Sequence, residues 1–170
     1  MPSLALLAAT AVLFSACASH EVPFNEADFT RSAGTGTGTV DGQVFRISAD
    51  DSTWIQKHGS TVKLLPANAY TDEIVQRKYA NRVHLMRPDS RMAKYVRKVR
   101  TDENGNFVFR HVPAGNYYVA CHYKWTYPTD GTDADGNYEE VQASEDQWIY
   151  AHAQVISGKT TTVVGWDQGR

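Results

Sequence analysis

The sequence predicts an all-β fold: a sandwich of seven short strands with one short helical insertion. Three observations predict it. From Val40 onward, apolar and polar residues alternate over short stretches, which is the period of a strand with one buried face. Turn signals punctuate those stretches at Asn104-Gly105, Pro113-Ala114-Gly115 and Ser157-Gly158, where glycine supplies the positive φ that tight turns need. The chain has 170 residues and is 42% hydrophobic, enough to fill one core without cross-links.

The elements follow in order. Val40 to Ile47 reads as the first strand and Ser60 to Pro66 as the second. Ala69 to Arg82 breaks the alternation. Thr71 suits an N-cap, Asp72 and Glu73 suit a first turn, and Ile74, Val75 and Tyr79 form an apolar edge, so a short helix is expected. Lys94 to Thr101 reads as the third strand. Asn106 to Val112 is the fourth, with Phe107 and Phe109 on one face. Asn116 to Tyr127 is the fifth, turning Tyr117, Val119, Cys121, Tyr123 and Trp125 to the core. Gln147 to Ile156 is the sixth, with Ile149, Ala151, Ala153 and Val155 inward, and Thr160 to Trp166 is the seventh.

The run Thr101-Asp102-Glu103-Asn104-Gly105-Asn106-Phe107-Val108-Phe109, continued through Val112-Pro113-Ala114-Gly115-Asn116-Tyr117-Tyr118-Val119, resembles the carboxypeptidase regulatory-like domain. The opening Gly42-Gln43-Val44 and the closing Val155 to Val163 are similar to that family's first and last strands. The resemblance implies a transthyretin-like, Greek-key β-sandwich over 39–170, departing from the family near 67–93 and over 128–146. It implies a binding module rather than one particular chemistry. Intradiol dioxygenases share part of the run and hold iron with two Tyr and two His. Tyr150, His152, His111 and His122 are present here, but the H-x-H pair is not. The Asp167-Gln168-Gly169-Arg170 ending lacks the Tyr-Arg-Gly-Ser tail of the transthyretin-like hydroxyisourate hydrolases.

The start of the chain reads as an address. Leu4 to Phe14 is apolar and rich in Leu and Ala, shorter than the ~20 residues a membrane-spanning helix needs. Small residues and Cys17 follow, as after the apolar core of an export signal. The ending resembles a bacterial lipobox. It implies removal of 1–16, acylation of Cys17 and an outer-membrane lipoprotein facing the periplasm or the surface. Cleavage after Ala18, with secretion to the periplasm, is the alternative. Residues 17–38, with the Gly/Thr-rich 31–39, read as a flexible tail and stalk. With Cys17 acylated, Cys121 would have no partner and is expected in the core.

Charge points to where to look for function. Lys+Arg number 17 and Asp+Glu 19, a net charge of −2, which argues against nucleic acid as a partner. The charge is segregated, however. Residues 77–100 are strongly basic, and 128–146 hold acids without a base. Arg77, Lys78, Arg82, Arg91 and Arg97 are candidate contacts for an anionic partner. The acidic stretch fails the EF-hand spacing: with Gly136 in the glycine position, Gly131 and Gln142 fall where acids are required. Tyr118, His122 and Lys124 face away from the core side of the fifth strand, as Trp148, Tyr150 and His152 do on the sixth. If the strands pair, these six form a candidate binding patch.

The expected function is a non-catalytic cell-envelope module for binding or assembly, anchored by lipid on Cys17, with a protein or glycan partner and no cofactor. A carbohydrate-binding accessory domain is the second reading and a small metal-dependent enzyme the third.

Overall fold

The structure is a computed structural model that describes residues 20–47, 53–55, 59–81, 87–132, 136 and 138–163. The expected signal at 1–16, Cys17, Arg82 and the end of the seventh predicted strand lie outside these residues. The fold is mostly β, with two main sheets and a short helix, as a sandwich requires.

Nine strands appear among the described residues, where seven were expected. The first predicted strand divides into β1 (Gly38–Gln43) and β2 (Phe45–Ile47). It divides at Val44, whose amide leaves the ladder to donate to the Gly105 carbonyl at 2.9 Å. β2 then pairs with β3 (Thr53–Ile55) as a separate two-stranded sheet. β4 (Thr61–Pro66), β6 (Asn106–Val112) and β9 (Thr160–Val163) fall within the expected segments. β5 is shorter, Arg97–Arg100. Asp89 accepts the Arg91 amide at 2.9 Å and starts a 3-10 turn over Ser90–Lys94, which uses the residues before it.

β7 (Gly115–Thr132) and β8 (Tyr138–Val155) are far longer than expected. Residues 128–146, taken as a loop, are largely the far arms of this hairpin, and the register is continuous from Gly115↔Val155 to Thr132↔Tyr138. β4 pairs with β7 only as far as Cys121. Beyond that the two strands pair with each other alone and bury no third strand. Tyr123 and Trp125, expected to face the core, fall in this part, and their side chains lie outside the described residues. From 128 to 146 the sequence is largely polar and lacks the apolar alternation that signals a strand.

One main sheet has the order β6-β1-β9, with β1 antiparallel to β6 and parallel to β9. The other has the order β5-β4-β7-β8, all antiparallel. Val40, Phe107, Phe109 and Val112 from the first meet Val62, Leu64, Tyr117, Val119, Cys121 and Ile149 from the second in one buried cluster. Gly42 is required here, because a Cβ would overlap the Val163 carbonyl and the Phe107 ring. At the open end, Arg97 of β5 donates to the carbonyls of Arg110 and His111 at 2.6 and 2.8 Å, tying the four-stranded sheet to β6.

The helix forms where expected but is capped differently. α1 (Ala69–Ile74) is capped by Asn68, not Thr71. Thr71 is the reciprocal partner: its amide donates to Asn68 Oδ1 at 3.0 Å, and its hydroxyl accepts from the Asn68 amide at 2.9 Å. A π-helical turn, Val75–Ala80, continues α1. Together they lie on the outer face of the four-stranded sheet and build a second buried cluster from Tyr70, Ile74, Val75, Tyr79, Tyr118 and Ala120.

The tail joins that cluster. Residues 17–38 were expected to be a loose stalk, but from His20 onward the chain is seated on the domain. Glu26–Ser32 is a 3-10 turn capped by Asn25, and Phe29 within it is fully buried. Phe29 stacks on Tyr95 and Phe24, with centroids 5.1 and 5.0 Å apart. Aromatic burial here outweighs the freedom implied by the nearby glycines and threonines.

Candidate functional site

The outer face of the four-stranded sheet carries the predicted patch. Strands β7 and β8 pair, and the register sets Tyr118 opposite His152, Ala120 opposite Tyr150, His122 opposite Trp148, and Lys124 opposite Asp146. Strand alternation therefore puts all six candidates on one face. For Lys124 only the backbone is described.

The insertion covers part of this face. Tyr118 is buried, and its hydroxyl donates to Asp72 Oδ1 at 2.8 Å. Burial, then the bond to Asp72, raises its pKa. Tyr118 thus holds α1 down instead of offering a ring to solvent. Trp148 is half-buried and stacks on Tyr79 of the π-helical turn (4.3 Å, 14°) and on His122 (4.9 Å, 24°). The Lys63 ammonium lies 4.6 Å from the Trp148 ring centroid. Tyr150 is half-buried, and His152, 4.3 Å from the Tyr118 ring, is exposed. The accessible part of the patch is therefore His152 and the partly exposed Tyr150, His122 and Trp148.

The candidate basic contacts are mostly engaged within the chain. Arg77 pairs with Glu73 at 2.6 Å and Glu21 at 3.5 Å. Arg91 grips Asp89 through two nitrogens at 3.0 and 2.8 Å and covers the Phe24 ring at 4.8 Å. Arg97 is the clasp to β6. Lys78 is half-buried on the π-helical turn. The tail supplies further acids, and Glu26 pairs with Lys94. Part of the basic segment is thus matched by the tail and by its own neighbours.

Glu73 is the centre of that attachment. It accepts the amides of Glu21 and Val22, both at 2.9 Å, and the Arg77 guanidinium. Burial alone would raise its pKa. The two amides, then Arg77 and His20, outweigh burial and bring it down to about 2. Nε2 of His20 lies 3.0 Å from the Arg87 carbonyl, which can only accept, so that nitrogen carries a proton.

Two clefts flank these elements. A polar one of about 540 Å³ lies between the tail's 3-10 turn, the cap of α1 and the β6–β7 turn, with Asp28, Arg31, Asn68 and Asn116 among its walls. A smaller one of about 220 Å³ lies between the outer face and the segment 88–96, lined by Lys63, Lys98, Tyr79, Leu65, Met92 and Val96 among others. Among the described residues no three His, Cys, Asp or Glu side chains come together as a metal would need. Cys121 is buried in the inner core, and burial pushes its thiol up to about 12.

No known protein family and no curated protein sequence matches the chain. Among solved structures, a Pseudomonas aeruginosa protein described as a candidate carbohydrate-binding protein is similar to it. The TM-score is 0.65 and the identity 25%, over 83% of this chain and 95% of that one. The likeness extends to nearly all of that protein. The major pilin subunit of Bacillus cereus is far less similar, with a TM-score of 0.31 and 17% identity over 78% of this chain and 30% of the pilin.

Sequence reasoning did not single out Lys63, took Lys98 only as part of the basic stretch 77–100, and took Tyr79 only as part of the helix's apolar edge. A signal was available for the first: Lys63 interrupts the apolar run Val62 to Leu65 at the outward position. Within that stretch nothing local sets Lys98 apart from its basic neighbours; its place opposite Lys63 comes from the pairing of β4 with β5.

Proposed function

We propose that this chain is a non-catalytic carbohydrate-binding module of the bacterial cell envelope. The observation that carries the reading is the likeness to the Pseudomonas aeruginosa protein, which spans 83% of this chain and 95% of that one. Because a fold hosts many functions, the outer face must supply the chemistry. Tyr150, His152 and the edge of Trp148 offer partly exposed rings, and such rings suit the apolar faces of sugars. In this reading 1–16 is an export signal, and Cys17 carries the lipid that anchors the protein at the outer membrane. The docked tail then leaves two residues, Ala18 and Ser19, between Cys17 and His20, a span of about 10 Å when extended, so the domain sits against the membrane surface.

The same reading places the sandwich in the transthyretin-like, carboxypeptidase regulatory-like class. The 101–119 run supports it: Asp102 accepts the amides of Asn104 and Asn106, both at 2.8 Å, and Gly105 takes φ 76°. Phe107 and Phe109 are buried, and the Tyr117 hydroxyl donates to the Pro113 carbonyl at 3.0 Å.

Two measurements test the proposal. Full-length protein on a glycan array should bind a restricted set of sugars, and Tyr150→Ala with His152→Ala should abolish that binding. No bound glycan at all would leave a protein-binding envelope module as the better reading. Intact mass of the mature protein should show a diacylglyceryl group on Cys17, and a mass without it removes the anchor.

A further inference from the structure

The smaller cleft has an electrostatic arrangement that folding does not explain. Lys63 on β4 and Lys98 on β5 stand directly opposite each other in the antiparallel register. Like charges placed so are unfavourable, and both line the same cleft. Lys63 is half-buried, and burial, then Lys98 and Lys78, lower its pKa. Among the described residues neither Lys63 nor Lys98 has a carboxylate in ion-pair range. Asp89 also lines the cleft, but its carboxylate is held by two nitrogens of Arg91. The remaining wall is mostly apolar or aromatic, with Leu65, Met92, Val96 and Tyr79, and includes the polar Ser90.

We propose that this cleft binds the anionic group, carboxylate or phosphate, of an acidic sugar residue, with Lys63 and Lys98 as its counter-charges. The proposal rests on the carbohydrate-binding reading above and specifies its ligand. The volume of about 220 Å³ is below the ~300–1,000 Å³ of drug-sized sites, which suits one terminal ring rather than a buried chain. Tyr79 gives that ring an aromatic wall and continues through its stack with Trp148 toward the exposed part of the patch. Charge selects the ligand, and the rings add contact area.

The test is titration calorimetry of the full chain with three probes: a trigalacturonate, a neutral galactose trimer and inorganic phosphate. Trigalacturonate should bind most tightly, and more weakly as salt rises. Lys63→Met should weaken it about tenfold or more, Lys98→Met should weaken it less, and Lys63→Arg should restore most of it. Without ligand, Lys98→Met should melt at the same temperature or slightly above the parent, because it removes a like-charge pair. Equal binding of the acidic and neutral trimers would overturn the anion site while leaving carbohydrate binding intact. Binding of phosphate alone would overturn the sugar ligand. Binding of none of the three, by a protein that also captures no glycan on the array, would overturn both readings. A large loss of melting temperature in Lys98→Met would show that the lysine pair serves the fold.

Discussion

The two faces of the four-stranded sheet are built from the same strands in opposite chemistries. The inner face is uniform: Val62, Leu64, Val119, Cys121 and Ile149 meet the phenylalanines of β6 in an apolar core. The outer face is mixed. Tyr118 and Ala120 pack with α1 and the tail in the second cluster and Trp148 stacks on the π-helical turn, while Lys63 lines the smaller cleft, Tyr150 is half-buried and His152 is exposed. The inner contact closes the sandwich and depends on shape and apolar area. The outer one is closed by aromatic stacking, a capped helix and a carboxylate clamp, all of them outside the core between the two sheets. The difference teaches that this sheet has one face committed to stability and one free to carry function at its edges.

The largest expected effect lies on the inner face. Phe109→Ala leaves a cavity among the buried residues of the main core and should cost about 3–5 kcal/mol, seen as a lower denaturant midpoint for the whole domain. Phe29→Ala comes next. The ring is equally buried, but it belongs to the second cluster, outside the core between the sheets. A cost of about 2–3 kcal/mol should appear first as faster amide exchange over residues 20–33, with the β4 and β7 amides still protected. Identical loss of protection in the sheet and the tail would erase the distinction between the faces.

The smallest effect concerns Glu73 and depends on pH. Its folded pKa of about 2 lies below the ordinary 4.5, so the ionised form stabilises the fold. That contribution is fully present above about pH 4.5 and disappears as pH falls through 2. At pH 7, Glu73→Gln should loosen the tail by about 1–2 kcal/mol. The gap between parent and variant, followed by tail amide exchange, should close as pH approaches 2. A gap that stays constant down to pH 2 would mean that the carboxylate charge is not what holds the tail.

Much of the inner face was legible in the sequence. Alternation of Val62 with Leu64, Phe107 with Phe109, and Val119 with Cys121 names it residue by residue, because a strand's period is short and local. The turn at Asp102–Asn106 and the helix near Ala69 were legible for the same reason. The site was only half legible. Alternation put Tyr118, His122, Trp148, Tyr150 and His152 on one face, and the pairing of β7 with β8 brings them together. It gave no way to know that the helix would bury Tyr118 or that Tyr79 would stack on Trp148.

The sequence by itself determined the local things: strand period, turn chemistry, the inward set of apolar residues and the uneven distribution of charge. Each depends on residues within a few positions of one another. Only the tertiary structure decided which distant residues would meet. It brought Lys63 opposite Lys98, turned the stretch 128–146 into hairpin arms, and seated a tail that reads as flexible through Phe29 and Glu73. Those outcomes depend on contacts between segments far apart in the chain, where local propensity is weak and the gain from burial and charge pairing is what decides.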